Sequence, residues 1–283
     1  MKEPETRTDL GKLKTEGRNQ NTLHIDEMST LDMVQVMCQE NRVVEDAVAS
    51  QADAIAKAID IIARQLDAGG HLIYIGAGTS GRLGVVDASE CPPTFGVDPS
   101  VVRGVIAGGQ GAMFRAVEGA EDDRYRGAAE LMENGASAGD VVVGLSASGG
   151  APYVLGALEK AREIGAIPMG ITCNPDSLMH PLCEVIMAPY VGPEVITGSS
   201  RLKAGTAQKL ILNMLSTGAM VRTGKVVGNL MVNVKPTNSK LRDRCIRILM
   251  ELGNCDRDAA ADLIDRYGDI RESLTVLKQR DNS

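Results

Sequence analysis

Twice in this chain a short apolar run empties into a loop of glycines and hydroxyl side chains, and each loop is followed by a stretch with helical periodicity. Residues 71–75 lead into Gly76-Ala77-Gly78-Thr79-Ser80-Gly81-Arg82, and residues 140–145 lead into Ser146-Ala147-Ser148-Gly149-Gly150 ahead of the helical pattern of residues 152–164. A strand buried on both faces needs a continuous apolar run, which is the mark of a parallel sheet wrapped by helices. Further strands are predicted at 101–107, 167–173 and 184–188, alternating with helical or loop segments. This alternation predicts an α/β fold with a doubly wound, mainly parallel sheet flanked by helices.

The loops themselves carry chemistry. Small residues let backbone N–H groups approach an oxyanion closely, and the following helix start adds its dipole. In an open α/β sheet ligands bind beyond the carboxyl ends of the strands, so two such loops are predicted to converge on one phosphate. Neither Gly-x-Gly-x-x-Gly nor Gly-x4-Gly-Lys-Ser is present. A serine cradle without the P-loop lysine suits a sugar phosphate better than a nucleotide.

Residues 1–28 are polar and lack periodicity, and they are read as an N-terminal arm with a flexible start. Helices begin near Thr30. Residues 46–66 carry Ala47, Val48, Ile55, Ile59, Ile62 and Leu66 at largely helical spacing and are read as one helix stopped by Gly69-Gly70. Residues 199–224 form a long helical segment with an apolar face. After Lys235 the pattern changes to charged helices over 238–252 and 256–267, which gives a division into an arm (1–28), a main domain (29–235) and a small helical C-terminal unit (236–283).

Composition narrows the partners. With no Trp, two Phe and five Tyr among 283 residues, the core must be aliphatic and stacking platforms for single-stranded nucleic acid are lacking. A net charge of −7 argues against binding a phosphate backbone. Six cysteines show neither a C-x-x-C pair nor zinc spacing, and read as reduced thiols. No leader pattern and no run long enough to span a bilayer is seen, so the expected place is the cytoplasm, with no membrane partner. His24, His71 and His180 have no partner visible in the sequence and read as structural or exposed.

Longer blocks carry a resemblance. Residues 76–84 with Asp87-Ala88-Ser89-Glu90-Cys91-Pro92-Pro93-Thr94-Phe95-Gly96 resemble the N-acetylmuramic acid 6-phosphate etherases, bacterial enzymes of the sugar isomerase (SIS) superfamily. So do Ala116-Val117-Glu118-Gly119-Ala120-Glu121-Asp122, residues 192–209, Gly228-Asn229-Leu230-Met231-Val232 and, in the arm, Thr15-Glu16, Arg18-Asn19 and Ile25-Asp26. The resemblance spans roughly residues 14–270. It implies an SIS-type sheet, and a lyase that removes D-lactate from C3 of the sugar phosphate in cell-wall sugar recycling. The C1 aldehyde of the opened sugar acidifies the C2 proton; a base removes it, the C3 oxygen leaves with help from an acid, and water adds back at C3. No cofactor, metal or nicotinamide is needed for these steps.

The same resemblance assigns the site. Glu90 corresponds to the family's proton donor and Glu121 to the second catalytic glutamate, taken here as the C2 base, with Glu118 beside it as a decoy. Thr79, Ser80 and Gly81 on one loop and Ser146, Ser148 and Gly149 on the other are expected to hold the phosphate. Many members read Ser-Gly-Arg-Thr-Pro where this chain has Ser148-Gly149-Gly150-Ala151-Pro152, a departure that predicts reduced phosphate affinity at most. Glu194 and Lys203 fit two roles: Glu194 near the ring oxygen or amide with Lys203 near an oxyanion, or an ion-pair cluster capping the long helix. A homodimer with the site near the subunit interface is also implied. Two other classes fit these loops, a sugar-phosphate sensor like the glucokinase regulatory protein and an aldose-ketose isomerase. A single SIS-like unit retaining both glutamates favours the enzyme over the sensor, and an isomerase has no use for an acid at C3.

Overall fold

The computed structural model describes residues 17–281. The start of the arm, with Thr15-Glu16, lies outside the described residues. Strands β1 (Leu72–Gly76), β2 (Val102–Ile106), β3 (Val141–Leu145), β4 (Ile167–Ile171) and β5 (Val185–Met187) form one sheet in the order β2-β1-β3-β4-β5. Every pair in it is parallel. The five runs read from the sequence are these five strands. Chain order reverses between β1 and β3, so the crevice at their carboxyl ends is the topological switch point where open α/β sheets take ligands.

Helices α2 (Val43–Ala49), α3 (Ala52–Asp67), α4 (Gly78–Phe95) and α7 (Lys203–Arg222) contribute to the apolar cluster on one face of the sheet, and α5 (Arg124–Glu133) and α6 (Pro152–Glu163) to that on the other, with α1 (Thr30–Asn41) preceding them. The sheet is therefore buried on both faces. Ile62, Leu72, Tyr74, Val143, Ile211 and Leu215 lie in one apolar cluster, while Ile73, Ile75, Leu131, Val142, Tyr153 and Leu158 lie in the second. Alternate residues of β1 thus enter opposite clusters, as strand pleating requires.

Two local expectations are corrected. Residues 46–66 are not one helix: α2 ends at Ala49 and α3 starts at Ala52, because Ser50 Oγ donates to Ala47 O (2.7 Å) and the Gln51 side chain leaves the helix to accept from Ala188 N (3.0 Å). Apolar periodicity runs through this break because both helices bury residues in the same cluster. Nor is there a Gly-Ser loop after β1. Ala77 alone separates β1 from α4, and Gly78 to Gly81 form the helix's first turn. The helix then runs on through Glu90, Pro92 and Pro93 to a left-handed Gly96 (φ +61), where a Cβ would sit 1.8 Å from Asn233 O.

The C-terminal helices α8 (Ser239–Gly253), α9 (Arg257–Tyr267) and α10 (Ile270–Asp281) have their own apolar cluster, which includes Cys245, Leu249, Leu263 and Ile270. This cluster draws in Val232 and Val234 from just before residue 236. Strands β6 (Val226–Val227) and β7 (Leu230–Met231) form a separate antiparallel pair leading into it.

The amino ends of the central strands are tied by Asp140, which is fully buried. Its carboxylate accepts from His71 N (2.8 Å) and Ser137 N (2.8 Å) and lies 2.9 Å from His71 Nδ1. Burial pushes this carboxyl up, but the bonds from His71 and Ser137 outweigh it and hold it below the usual carboxylate range. A depressed folded pKa stabilises the fold above the unfolded value of about 3.9, and that contribution is lost as pH falls through the folded value. Asp140→Asn is expected to lower stability by about 2 kcal/mol at pH 7. The gap from the parent should close in acid, as thermal melts at a series of pH values will show.

Candidate active site

Gly76 at the end of β1 is in register with Leu145 at the end of β3, so the start of α4 and the serine loop emerge side by side. Ser146 is buried and its Oγ accepts from Gly149 N (3.1 Å), while Ser148 Oγ, half-buried, accepts from Gly150 N (3.3 Å). The two hydroxyl oxygens are 3.5 Å apart. Each accepts from the backbone, and with one hydroxyl donating to the other across that contact, the second keeps its proton to give to an anion. Gly149 has φ +69, and a Cβ there would lie 2.2 Å from Ser177 Cβ and 2.7 Å from Thr172 Oγ1. No other residue fits that turn.

On the facing side Thr79, Ser80 and Gly81 stand in the first turn of α4, where the helix dipole favours an anion; Gly81 N donates to Ala77 O (3.1 Å), so the open N–H groups are those of Gly78, Thr79 and Ser80. Thr79 is half-buried. Ser80 is buried, and its Oγ is 2.9 Å from Gln208 Oε1 on α7. That contact spends the Ser80 proton on α7, leaving Thr79 and the N–H groups as this side's open donors. Gly205, in the first turn of α7, approaches Thr79 and Leu83 from the other side.

Beside the α4 start lies a cleft of about 150 Å³, lined by Gly78, Arg82, Ala107, Val117, Glu118 and Glu121 among others. Glu121 sits in a short 3-10 turn (Ala120–Asp122) held out from the sheet, and it is exposed. The decoy Glu118 lines the same cleft, so the structure brings both carboxylates to it. Glu90 is not among the cleft's lining residues. It lies eleven residues beyond Thr79 on α4, roughly 16 Å along the axis. Thr79, Leu83, Val86 and Glu90 nevertheless share a stripe of the helix, since they are three or four residues apart in turn.

Glu194 and Lys203 are both buried, and their contacts are internal. Glu194 Oε2 and Oε1 accept from the backbone N of Lys203 and Ala204, each at 2.9 Å, which caps α7. Lys203 Nζ reaches Glu40 Oε2 at 2.7 Å, where Asn19 and Asn21 also donate. Burial pushes the Glu40 carboxyl up, and Lys203 with the two asparagines more than reverses this. Asn19 and Thr22 further bond to Pro193 O and Val195 O, so the end of the arm is stitched to the loop carrying Glu194. These contacts correspond to the helix-capping alternative for the pair.

Residues that the sequence did not single out support the cradle. Thr172 Oγ1 donates to Ala147 O (3.2 Å) and Asn174 Nδ2 to Ser148 O (3.3 Å), fixing the serine loop from the end of β4. Their position just past a strand end is the signal that could have found them. Gln208 carried none, being one of several polar residues along α7. Burial, with the nearby Glu194 charge, pushes the Cys173 thiol up to about 12, so it stays protonated and is no nucleophile. Among the described residues no group of three His, Cys, Asp or Glu side chains could hold a metal ion.

Comparison with known proteins adds the following. Residues 54–162 match the family model of the glucokinase regulatory protein N-terminal SIS domain. Over 269 residues the chain is 53% identical to an N-acetylmuramic acid 6-phosphate etherase of Pectobacterium atrosepticum, covering 95% of this chain and 89% of the relative. It is 56% identical to the protein of that name in Serratia proteamaculans, covering 95% and 91%. Among solved structures, a phosphoheptose isomerase from Francisella tularensis superposes with a TM-score of 0.53 at 18% identity, over 69% of this chain and all (100%) of that one. A putative phosphosugar isomerase involved in capsule formation from Bacteroides fragilis gives 0.53 at 20% identity, over 71% and 95%. At those identities the solved structures speak for the sheet and its helices alone.

Proposed function

Because this chain belongs to the N-acetylmuramic acid 6-phosphate etherase family, we propose that it cleaves the C3 lactyl ether of N-acetylmuramic acid 6-phosphate, giving N-acetylglucosamine 6-phosphate and D-lactate. The observation that carries this reading is identity above one half with proteins of that name over 95% of the chain. The geometry supports it. A phosphate fits between the α4 start and the hydroxyls of Ser146 and Ser148, with Gly149 keeping that turn tight. The opened sugar then lies toward the cleft, where Glu121 removes the C2 proton. The electron pair moves through the enolate to expel the C3 oxygen, Glu90 protonates the departing lactate, and water adds to the resulting double bond at C3 while C2 regains a proton.

Base and acid must both reach adjacent carbons of one sugar, yet Glu90 lies well along α4 from the cleft. A homodimer in which the partner's Glu90 completes the site meets that demand. In support, Val86, one turn before Glu90, is exposed, as are Met214 and Val221 on α7, and Leu31 and Val34 on α1, a helix whose single buried residue is Glu40. A second copy seated on these helices would take such side chains out of water. Among the described residues no helix is long and apolar enough to cross a membrane, and the proposed place of action is the bacterial cytoplasm.

Incubating the purified protein with N-acetylmuramic acid 6-phosphate is expected to release D-lactate in one-to-one ratio with N-acetylglucosamine 6-phosphate, measured by coupled lactate oxidation. Binding of the phosphosugar without release would instead favour the sensor reading, to which the regulatory-protein match over residues 54–162 lends its weight.

A further inference from the structure

We propose that Arg82 recognises the lactyl carboxylate, the group that distinguishes the substrate from its product; this rests on the etherase reading. Arg82 is the one cationic residue lining the cleft, and it shares it with Glu118 and Glu121. A substrate carboxylate brought beside two glutamates is repelled unless a cation offsets them. Among the described residues Arg82 forms no ion pair with either. Its Nε donates to Met113 O (3.1 Å), in the turn that follows β2, which fixes the plane of the guanidinium. Its two terminal nitrogens remain to form a fork on a planar carboxylate.

The sheet order separates this group from the phosphate. The serine cradle follows β3 on one side of β1, whereas Arg82 leans toward Met113 and Ala107 beyond β2 on the other. Neighbouring strands are about 4.8 Å apart, so the two flanks are about 10 Å apart. The extended path from the 6-phosphate through C3 to the lactyl carboxylate covers such a span. A substrate held at both anionic ends is stretched across the β1 terminus, with C2 and C3 between them and Glu121 alongside. Arg82 is then a specificity residue, and it takes no proton in the reaction.

The test compares two reactions at one site. N-acetylglucosamine 6-phosphate lacks the lactyl group but keeps the C2 proton, whose exchange with deuterated water follows from running the hydration step backwards. For Arg82→Gln, kcat/KM for lactate release is expected to fall about 100-fold more than kcat/KM for C2 exchange into that product. Arg82→Lys, which keeps the charge and loses the fork, should fall between the two. Equal losses in both reactions would overturn the assignment in favour of phosphate binding or loop support, and an unchanged ratio with full activity would remove Arg82 as a ligand. Failure of the parent to release lactate at all would count against the etherase reading itself, an outcome read before any variant is compared.

Discussion

Glu121→Gln is expected to lower lactate release by about 1,000-fold or more and to stop C2 proton exchange, while the variant still binds the phosphosugar and melts with the parent. The substitution keeps the shape of an exposed side chain and removes only its basicity, so the effect should appear in kcat. Glu118→Gln is the matched control, since Glu118 lines the same cleft. Exchange that survives in Glu121→Gln and vanishes in Glu118→Gln would reverse the two assignments. Glu90→Gln should also lose lactate release, but through the leaving group, so slow C2 exchange should persist in it. If the partner's Glu90 completes each site, mixing the two inactive variants restores function: heterodimers carry one site with both native glutamates. Random reassortment should then recover about a quarter of the parental activity. No recovery, with heterodimers confirmed by mass, would place both glutamates in one chain.

Lys203→Met is expected to destabilise the protein by about 3–5 kcal/mol, measured by urea unfolding. Lys203 is 2% exposed and its ammonium lies 2.7 Å from Glu40, so its removal strands a buried carboxylate against Asn19 and Asn21 alone. The damage should spread to the stitched arm segment, which shares those bonds. A variant with parental stability and lost etherase activity would overturn the capping assignment and give Lys203 the oxyanion role instead. Glu194 is not interchangeable with Lys203 in this test, because it holds the first N–H groups of α7 rather than the pair's charge.

The strands were legible because each is a local run of apolar residues, and the cradle was legible because serine and glycine cluster at two strand ends. Less legible was where α4 begins. Gly78, Thr79, Ser80 and Gly81 look like a loop in one dimension, but the chain after β1 must turn at once to pack α4 against β1 and β2, so they become helix. The gap in the helix at Ser50 and Gln51 was hidden for a related reason, since the side-chain bond that makes it ends on Ala188. Arg82 stood in a quoted motif without a role, because nothing local shows that it faces Glu118 and Glu121 rather than solvent.

Sequence alone therefore determined the layered α/β architecture, the two strand ends rich in glycine and serine, and the family, all of which rest on patterns within a dozen or so residues or on matched blocks. Tertiary structure decided what those pieces touch: β1 beside β3, Ser80 engaged by Gln208 across 128 residues, Lys203 joined to Glu40 across 163, and Glu90 carried along α4 away from the cleft. Such contacts are chosen by packing the whole core at once, where burial and the need to pair every buried polar group act over distances in space that no local spacing records.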